Sequence, residues 1–267
     1  MMRSLYTATT GMIGMQTQID VVSNNIANVN TTGYKKQRAE FADLFSQVLQ
    51  YAGTNTSETT QSPTGIEVGV GVRNVSVQKL WEAGNPMQTG NAFDMMINGA
   101  GFFQIQLPDG TIAYTRDGQF KLDSEGNIVN SKGYQLVPNI TVPEDLRNNQ
   151  NAAIGVSEDG LVTATIAGDT QSQELGQIEI ANFINPAGLH SLGDNLYINT
   201  DASGDPIVGA PNQEGRGAIL QNVLERSNVK LVEEITELIT GQRAYEAGSK
   251  SIQTSDSMLQ TVISLKR

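Results

Sequence analysis

Only one histidine, His190, and no cysteine are available for chemistry in this chain of 267 residues. Without cysteine there is no thiolate nucleophile, no disulfide and no thiolate metal ligand. His190 stands in INPAGLHSLGD, with no HExxH spacing, no second histidine and no G-x-S-x-G elbow beside it. It reads as a structural histidine. Asp123-Ser124-Glu125-Gly126-Asn127 offers oxygen ligands, but a calcium loop beginning at Asp123 needs glycine and glutamate where Ile128 and Tyr134 stand. That segment, like Asp201-Ala202-Ser203-Gly204-Asp205, reads as a turn. Gly69-Val70-Gly71 and Gly99-Ala100-Gly101 lack the third glycine of a dinucleotide fingerprint, with Asn74 and Gln104 in its place. Paired carboxylates are plentiful, yet nothing in the sequence gathers them into one pocket, so a glycosidase site has no support. No catalytic residue, cofactor site or metal site is expected.

Composition points the same way. Hydrophobic residues make up 38% and charged residues only 17%, so the remaining polarity is uncharged, as in TSETTQSPTG over 56–65. Uncharged polar groups cost less to dehydrate than ions, and a surface of them suits close neighbours. The net charge of −11 is uneven: residues 54–212 hold 18 acidic and six basic side chains. Phosphate backbones require clustered Lys and Arg, so nucleic acid is excluded as a partner. No apolar run approaches the ~18–20 residues of a membrane span, and membrane insertion is not expected. Thr7, Thr9, Thr10, Gly11 and Gly14 interrupt any signal-like apolar stretch after Arg3, so no cleaved signal peptide is expected either.

The elements that organise this chain lie at its ends. Leu5, Met12, Ile19 and Ile26 fall every seven residues, and Ala8, Met15, Val22 and Val29 follow each by three. That spacing predicts a helix with a narrow apolar seam, capped by Ser4 and stopped by Asn28, Asn30, Thr31, Thr32 and Gly33. Phe41, Leu44, Phe45, Val48 and Leu49 continue a short apolar pattern up to Gly53. The last forty residues mirror the first: Leu231, Leu238, Tyr245, Ile252 and Leu259 are again seven apart. Ser227 or Asn228 can cap that helix, and Glu233 and Glu234 suit its first turns. Gly241, Ala244, Ala247 and Gly248 leave a shallow strip where another backbone can approach, which outweighs the roughly 1 kcal/mol that each helical glycine costs. Arg243 and Glu246 form a possible i,i+3 pair. Asn24, Asn25 and Asn28 either end the first helix or tie it to neighbours through their amides.

Between the ends the period changes to that of strands. Residues 102–137 read as a meander turning at Asp109-Gly110, Asp117-Gly118, 123–127 and Ser131-Lys132-Gly133. Further strands are expected over 65–77, 161–166, 177–183 and 195–198, with a Gly-rich loop over 209–217 and a polar linker over 53–64. The fold class is therefore α+β, with N- and C-terminal helices pairing as a coiled coil and a mainly antiparallel β central domain. The expected division is an N-terminal helical segment, 1–45, pairing with a C-terminal helix, 222–267. An extended linker or β-hairpin region, 46–80, and a central β domain, 81–221, complete it. An isolated two-helix seam is marginal, so association with further copies is expected. A secreted β-rich enzyme with incidental helical ends and a trimeric fibre or adhesin subunit are the alternatives from other classes.

The N-terminal stretch SLYTATTGMIGMQTQIDVVSNNIANVNTTGYKKQ resembles the signature of bacterial flagellar basal-body rod and hook proteins. Ser23 to Ala27, Asn28, Thr31, Gly33, Tyr34 and Lys35 match its closing motif. The C-terminal stretch is equally similar, notably Ser227-Asn228-Val229, Glu233-Glu234, Gln242-Arg243-Ala244-Tyr245 and Met258-Leu259, as is GNAFDMMINGAGFFQIQLPDGTIAYTRDGQFKLDSEGNIV in the middle. Within the family, the opening MMRSLYTATTG and the length are most similar to distal rod subunits; proximal rod or hook subunits are the near alternatives. The resemblance implies a non-enzymatic subunit that polymerises helically into a hollow, rigid drive shaft, transmits torque to the hook and passes exported proteins. It implies a periplasm-spanning location in the flagellar basal body, type III export, and proximal rod, hook, P-ring and L-ring bushing proteins as neighbours. It also implies that Leu5, Met12, Ile19, Ile26, Leu231, Leu238, Tyr245, Ile252 and Leu259, with Asn24, Asn25 and Asn28, form the assembly interface.

Overall fold

In chain order the described residues form helix α1 (Met2–Ala27), a series of short strands interrupted by the single-turn helix α2 (Glu144–Arg147), and helix α3 (Leu231–Leu265). The computed structural model describes residues 2–53, 61–147, 152–166 and 173–265; of the polar linker expected over 53–64, residues 54–60 lie outside the described residues. The chain divides into two compact units, the first holding Met1–Ala27, Gln37–Lys79 and Lys230–Arg267, the second Asn28–Lys36 and Leu80–Val229.

In the first unit, Gln37–Asp43 pairs antiparallel with Val72–Lys79, with a register shift between Glu40 and Phe41, and Gln47–Gln50 pairs with Ile66–Val68. The N-terminal helical segment expected over 1–45 ends at Ala27, and the apolar pattern of Phe41, Leu44, Phe45, Val48 and Leu49 runs through two strands instead. Their spacing mimics a helix, but pairing with residues distant in sequence decides the backbone. One face of α1 packs on the longer strand pair. A side chain at Gly14 would meet Phe41 and Val72 at 3.4 and 3.6 Å, and the Asn74 amide donates to the Thr17 hydroxyl at 2.6 Å. The many threonines of the helices direct their hydroxyls to carbonyls one turn back, as Thr236 does to Val232 and Thr240 to Thr236. Ser4 is no N-cap: it lies inside α1, which begins at Met2.

The second unit is antiparallel throughout. Its central strand, Phe102–Gln106, pairs with Ile112–Thr115, Gln135–Val137 and Ile180–Asn182. Adjacent side chains of a strand face opposite sides, and Phe102 and Phe103 are both buried, so this strand is covered on both faces. One side joins Met95, Ile97, Phe103, Ile105, Phe120, Ile128, Leu136, Ile178 and Ile180 in a single cluster. The other gathers Phe102, Tyr114, Ala181, Phe183 and Tyr197, with Trp81 set edge-on to Phe102 at 4.8 Å. Phe120–Leu122, Ile128–Asn130, His190–Gly193, Leu196–Ile198 and Ile207–Gly209 complete this nine-stranded sheet; the unit's other strands form a three-stranded sheet (Ala152–Val156, Leu161–Ile166, Gln173–Gln177) and two pairs, Met95–Asn98 with Ala218–Gln221 and Pro86–Gln88 with Val223–Glu225.

Asp109-Gly110 closes a hairpin as expected, whereas Asp117-Gly118 does not: Ile112–Thr115 and Phe120–Leu122 are not neighbours in the sheet. Instead Met95 N–H donates to the Gly118 carbonyl at 3.0 Å, and a Cβ on Gly118 would fall 1.6 Å from the Met95 carbonyl oxygen. The glycine serves close backbone approach, not chain reversal. The C-terminal helix is likewise shorter than the expected 222–267, because Val223–Glu225 is a strand.

Candidate assembly interface

Within the first unit α1 and α3 lie side by side and run in opposite directions, joined at four levels. Ser4 and Ser255 hydroxyls approach to 3.3 Å, and the Asn25 amide donates to a Glu234 carboxylate oxygen at 3.0 Å. Between these polar ends, a Cβ on Gly248 would fall 2.7 Å from Met12 Cγ, and one on Gly241 would fall 3.2 Å from Ile19 Cγ1. The residues of α3 nearest α1 are thus Glu234, Gly241, Gly248 and Ser255, themselves seven apart. Large residues of one helix fill the space left by small residues of the other, the geometry in which backbones approach most closely.

Met12 and Ile19 meet the glycines of α3, and Leu5, Ile26, Leu238, Ile252 and Leu259 are half-buried beside that line. Leu231 and Tyr245 remain 44% and 41% exposed. The line of closest approach therefore runs beside the large residues of α3, and the expected shallow strip is occupied at Gly241 and Gly248. Val232, Ile235, Ile239, Met258, Val262, Ile263 and Leu265 of α3, and Tyr6 and Ile13 of α1, are exposed.

The three asparagines differ. Asn25 is fully buried: its amide donates to the Gln37 carbonyl at 2.8 Å and its oxygen accepts from Gln37 N–H at 2.9 Å, besides the bond to Glu234. It ties α1, the first strand and α3 together. Asn28 accepts from the Thr31 hydroxyl in the turn after α1, and Asn24 is exposed.

In the second unit, Gly33, Tyr34 and Lys35 form a plug. Gly33 adopts φ 67°, and a Cβ there would meet Asp117 N at 2.7 Å, so only glycine fits. Lys35 is fully buried and its ammonium donates to Glu225 at 2.6 Å and to the Glu82 carbonyl at 2.8 Å. The same Glu225 oxygen accepts from Gly84 N–H at 2.8 Å, and Arg116 lies 3.8 Å from the other oxygen. Burial holds the Lys35 ammonium below its ordinary pKa, against the opposing pull of the Glu225 carboxylate; burial also lowers that of Arg116. Asn228, expected as a helix cap, instead accepts from Lys36 N–H at 2.7 Å and donates to the Leu80 carbonyl at 3.0 Å; Ser227 accepts from Val229 N–H.

Sequence reasoning named Lys35 and Glu234 in motifs without foreseeing their burial, and passed over Arg116 and Glu225. Each stands beside a second charged residue (Lys36, Asp117, Arg226 and Glu233), a pattern that reads as a solvated face, so the local sequence carries little signal of burial. His190 lies exposed on the strand His190–Gly193. Among the described residues no group of three or more His, Asp or Glu side chains is placed to hold a metal ion. No helix there is long and apolar enough to cross a membrane.

Three family profiles match the chain. "Flagella basal body rod protein" covers residues 5–35, "Flagellar hook protein FlgE/F/G D1 domain" residues 96–164, and "Flagellar basal body rod FlgEFG protein C-terminal" residues 220–265. The chain is 49% identical to the flagellar basal-body rod protein FlgG of Borreliella burgdorferi over the whole of both chains. It is 48% identical to FlgG of Buchnera aphidicola subsp. Schizaphis graminum over 99% of this chain and all of that one, and 46% identical to FlgG of Caulobacter vibrioides over 99% of this chain and all of that one. The first and third profiles match the terminal helices with their motifs, and full-length similarity joins them to the β unit between: the chain belongs to the flagellar basal-body rod protein family.

Proposed function

We propose that this chain is a structural subunit of the distal flagellar rod, polymerising helically into a hollow, rigid shaft that transmits torque to the hook and passes exported proteins. The observation that carries the reading is the exposed apolar surface of α1 and α3, from Tyr6 and Ile13 to Val232, Met258 and Ile263. Exposed apolar patches of this kind mark protein–protein contacts. Full-length similarity to proteins named for the basal-body rod supports the place of assembly. In this reading the helix pair closes as a coiled coil among copies, with the large seam residues Leu231, Leu238, Tyr245, Ile252 and Leu259 facing neighbouring subunits. Proximal rod, hook and P- and L-ring proteins are the chain's neighbours across the periplasm, and export proceeds through the flagellar type III apparatus without a cleaved signal peptide.

The test is assembly. Concentrated full-length protein should form rods or tubes in negative-stain images, and deletion of residues 2–27 should abolish them while the β unit stays folded. Persistent monomers at high concentration, or rods from the truncated chain, would overturn the proposal.

A further inference from the structure

A seven-residue repeat on both terminal helices leaves their apolar match ambiguous. In the observed register Met12 meets Gly248 and Ile19 meets Gly241. Sliding α3 by one heptad, about 10 Å, sets Met12 against Ser255, Ile19 against Gly248 and Ile26 against Gly241. Met12, Ile19 and Ile26 again meet small residues, while Leu5 passes from Ser255 to Val262, another apolar side chain. Sliding the other way sets Met12 against Gly241 and Leu5 against Gly248. Packing alone therefore does not separate these arrangements.

What does separate them is the polar pair at one end. Asn25 and Glu234 are both fully buried and share a 3.0 Å hydrogen bond, and Asn25 is anchored independently by two bonds to Gln37. In the first slipped register Glu234 passes beyond the end of α1 and the bond is lost. In the second, Glu234 is buried against Ile19, which offers no donor. A buried carboxylate without its hydrogen bond is costly, and a single buried polar residue in a helix seam is known to specify register. We infer that the buried Asn25–Glu234 hydrogen bond is the register lock of the terminal helix pair, excluding the pairings one heptad away. This holds whether or not the chain assembles as proposed, since both partners belong to one chain.

The absence of cysteine makes the test direct. Paired cysteines report the register as intrachain disulfides that run at monomer mass. Ser4→Cys with Ser255→Cys reports the observed register. Gly11→Cys with Ser255→Cys and Ser4→Cys with Gly248→Cys report the two slipped ones. The native background should give the first disulfide in excess by about tenfold or more, the factor expected of a hydrogen bond to a charged group. Glu234→Leu should bring a slipped disulfide to within about twofold of it, whereas Glu234→Gln, which keeps an acceptor for Asn25, should preserve the excess. Fluorescence of Trp81, which belongs to the β unit, confirms that this unit is folded in each variant, and helical circular dichroism confirms that the helices are. Retention of the native register by Glu234→Leu would overturn the inference, as would equal slippage in Glu234→Gln or the absence of any intrachain disulfide in the native background.

Discussion

The two units treat apolar residues in opposite ways. The second buries Phe103, Ile105, Phe120, Leu136, Ile178 and Ile180 in one cluster that excludes water almost completely. In the first, Val21 and Val22 are the buried hydrophobic side chains among the described residues, while Phe45 is 97%, Val232 78% and Ile263 69% exposed. The β unit is stabilised by area removed from water, at roughly 25 cal/mol per Å². The helical unit relies on close approach at glycines and on directed bonds such as Asn25 to Gln37 and Glu234. A unit of the first kind is complete alone; one of the second kind gains most when further copies cover it.

The largest effect that could break this comparison lies in the β unit. Phe103→Ala removes a buried ring set edge-on to Phe120 at 5.2 Å and should cost about 3–5 kcal/mol of unfolding free energy, measured by urea titration with Trp81 fluorescence. A loss below about 1 kcal/mol would show that the cluster does not hold this unit. Next comes the buried ion pair. Lys35→Met deprives Glu225 of its nearest cation and should cost about 3 kcal/mol in the same titration, with the loss confined to the β unit. A smaller effect belongs to the helical unit: Gly248→Leu drives a side chain into Met12 and should cost about 1–3 kcal/mol of helix packing. Helical circular dichroism should lose cooperativity on heating while the Trp81 transition stays in place. A matching shift of both signals would sink the contrast.

How much of this was legible in the sequence follows the range of the interactions. Local patterns were readable: the seven-residue spacing found both terminal helices, Gly241 and Gly248 marked the close approach, and Asp109-Gly110 marked a hairpin. Asp117-Gly118 has the same dipeptide but meets Met95, more than twenty residues away, and no local rule tells the two apart. Phe41 and Leu44 matched a helical spacing, yet strand Gln37–Asp43 pairs with Val72–Lys79. In α3 the large apolar residues drew attention, while the line nearest α1 is Glu234, Gly241, Gly248 and Ser255. Small and charged residues carry little weight in a hydrophobic pattern. Lys35 and Glu225 were invisible as partners for the same reason, being 190 positions apart.

The smallest effect sharpens the contrast through pH. Burial pushes Lys79, at the end of strand Val72–Lys79 in the helical unit, down to about 8 from an ordinary value of 10.5. Between these values the unfolded chain holds a proton that the folded chain has released. Stability therefore rises with pH through that window, and the penalty of burying the charged ammonium is fully present below it. Because Lys79 keeps partial access to water, screening reduces the gain. The measurement is the difference between native and Lys79→Met protein in the denaturation midpoint of the helical signal. Methionine cannot titrate, so the native protein alone should gain between about pH 8 and pH 10.5, other lysines and tyrosines cancelling in the difference. The Trp81 signal of the β unit should give the same midpoint difference at both ends of the window. Parallel pH profiles for the two proteins would mean that Lys79 is solvated, and that the strand pair beneath α1 buries less than its geometry implies.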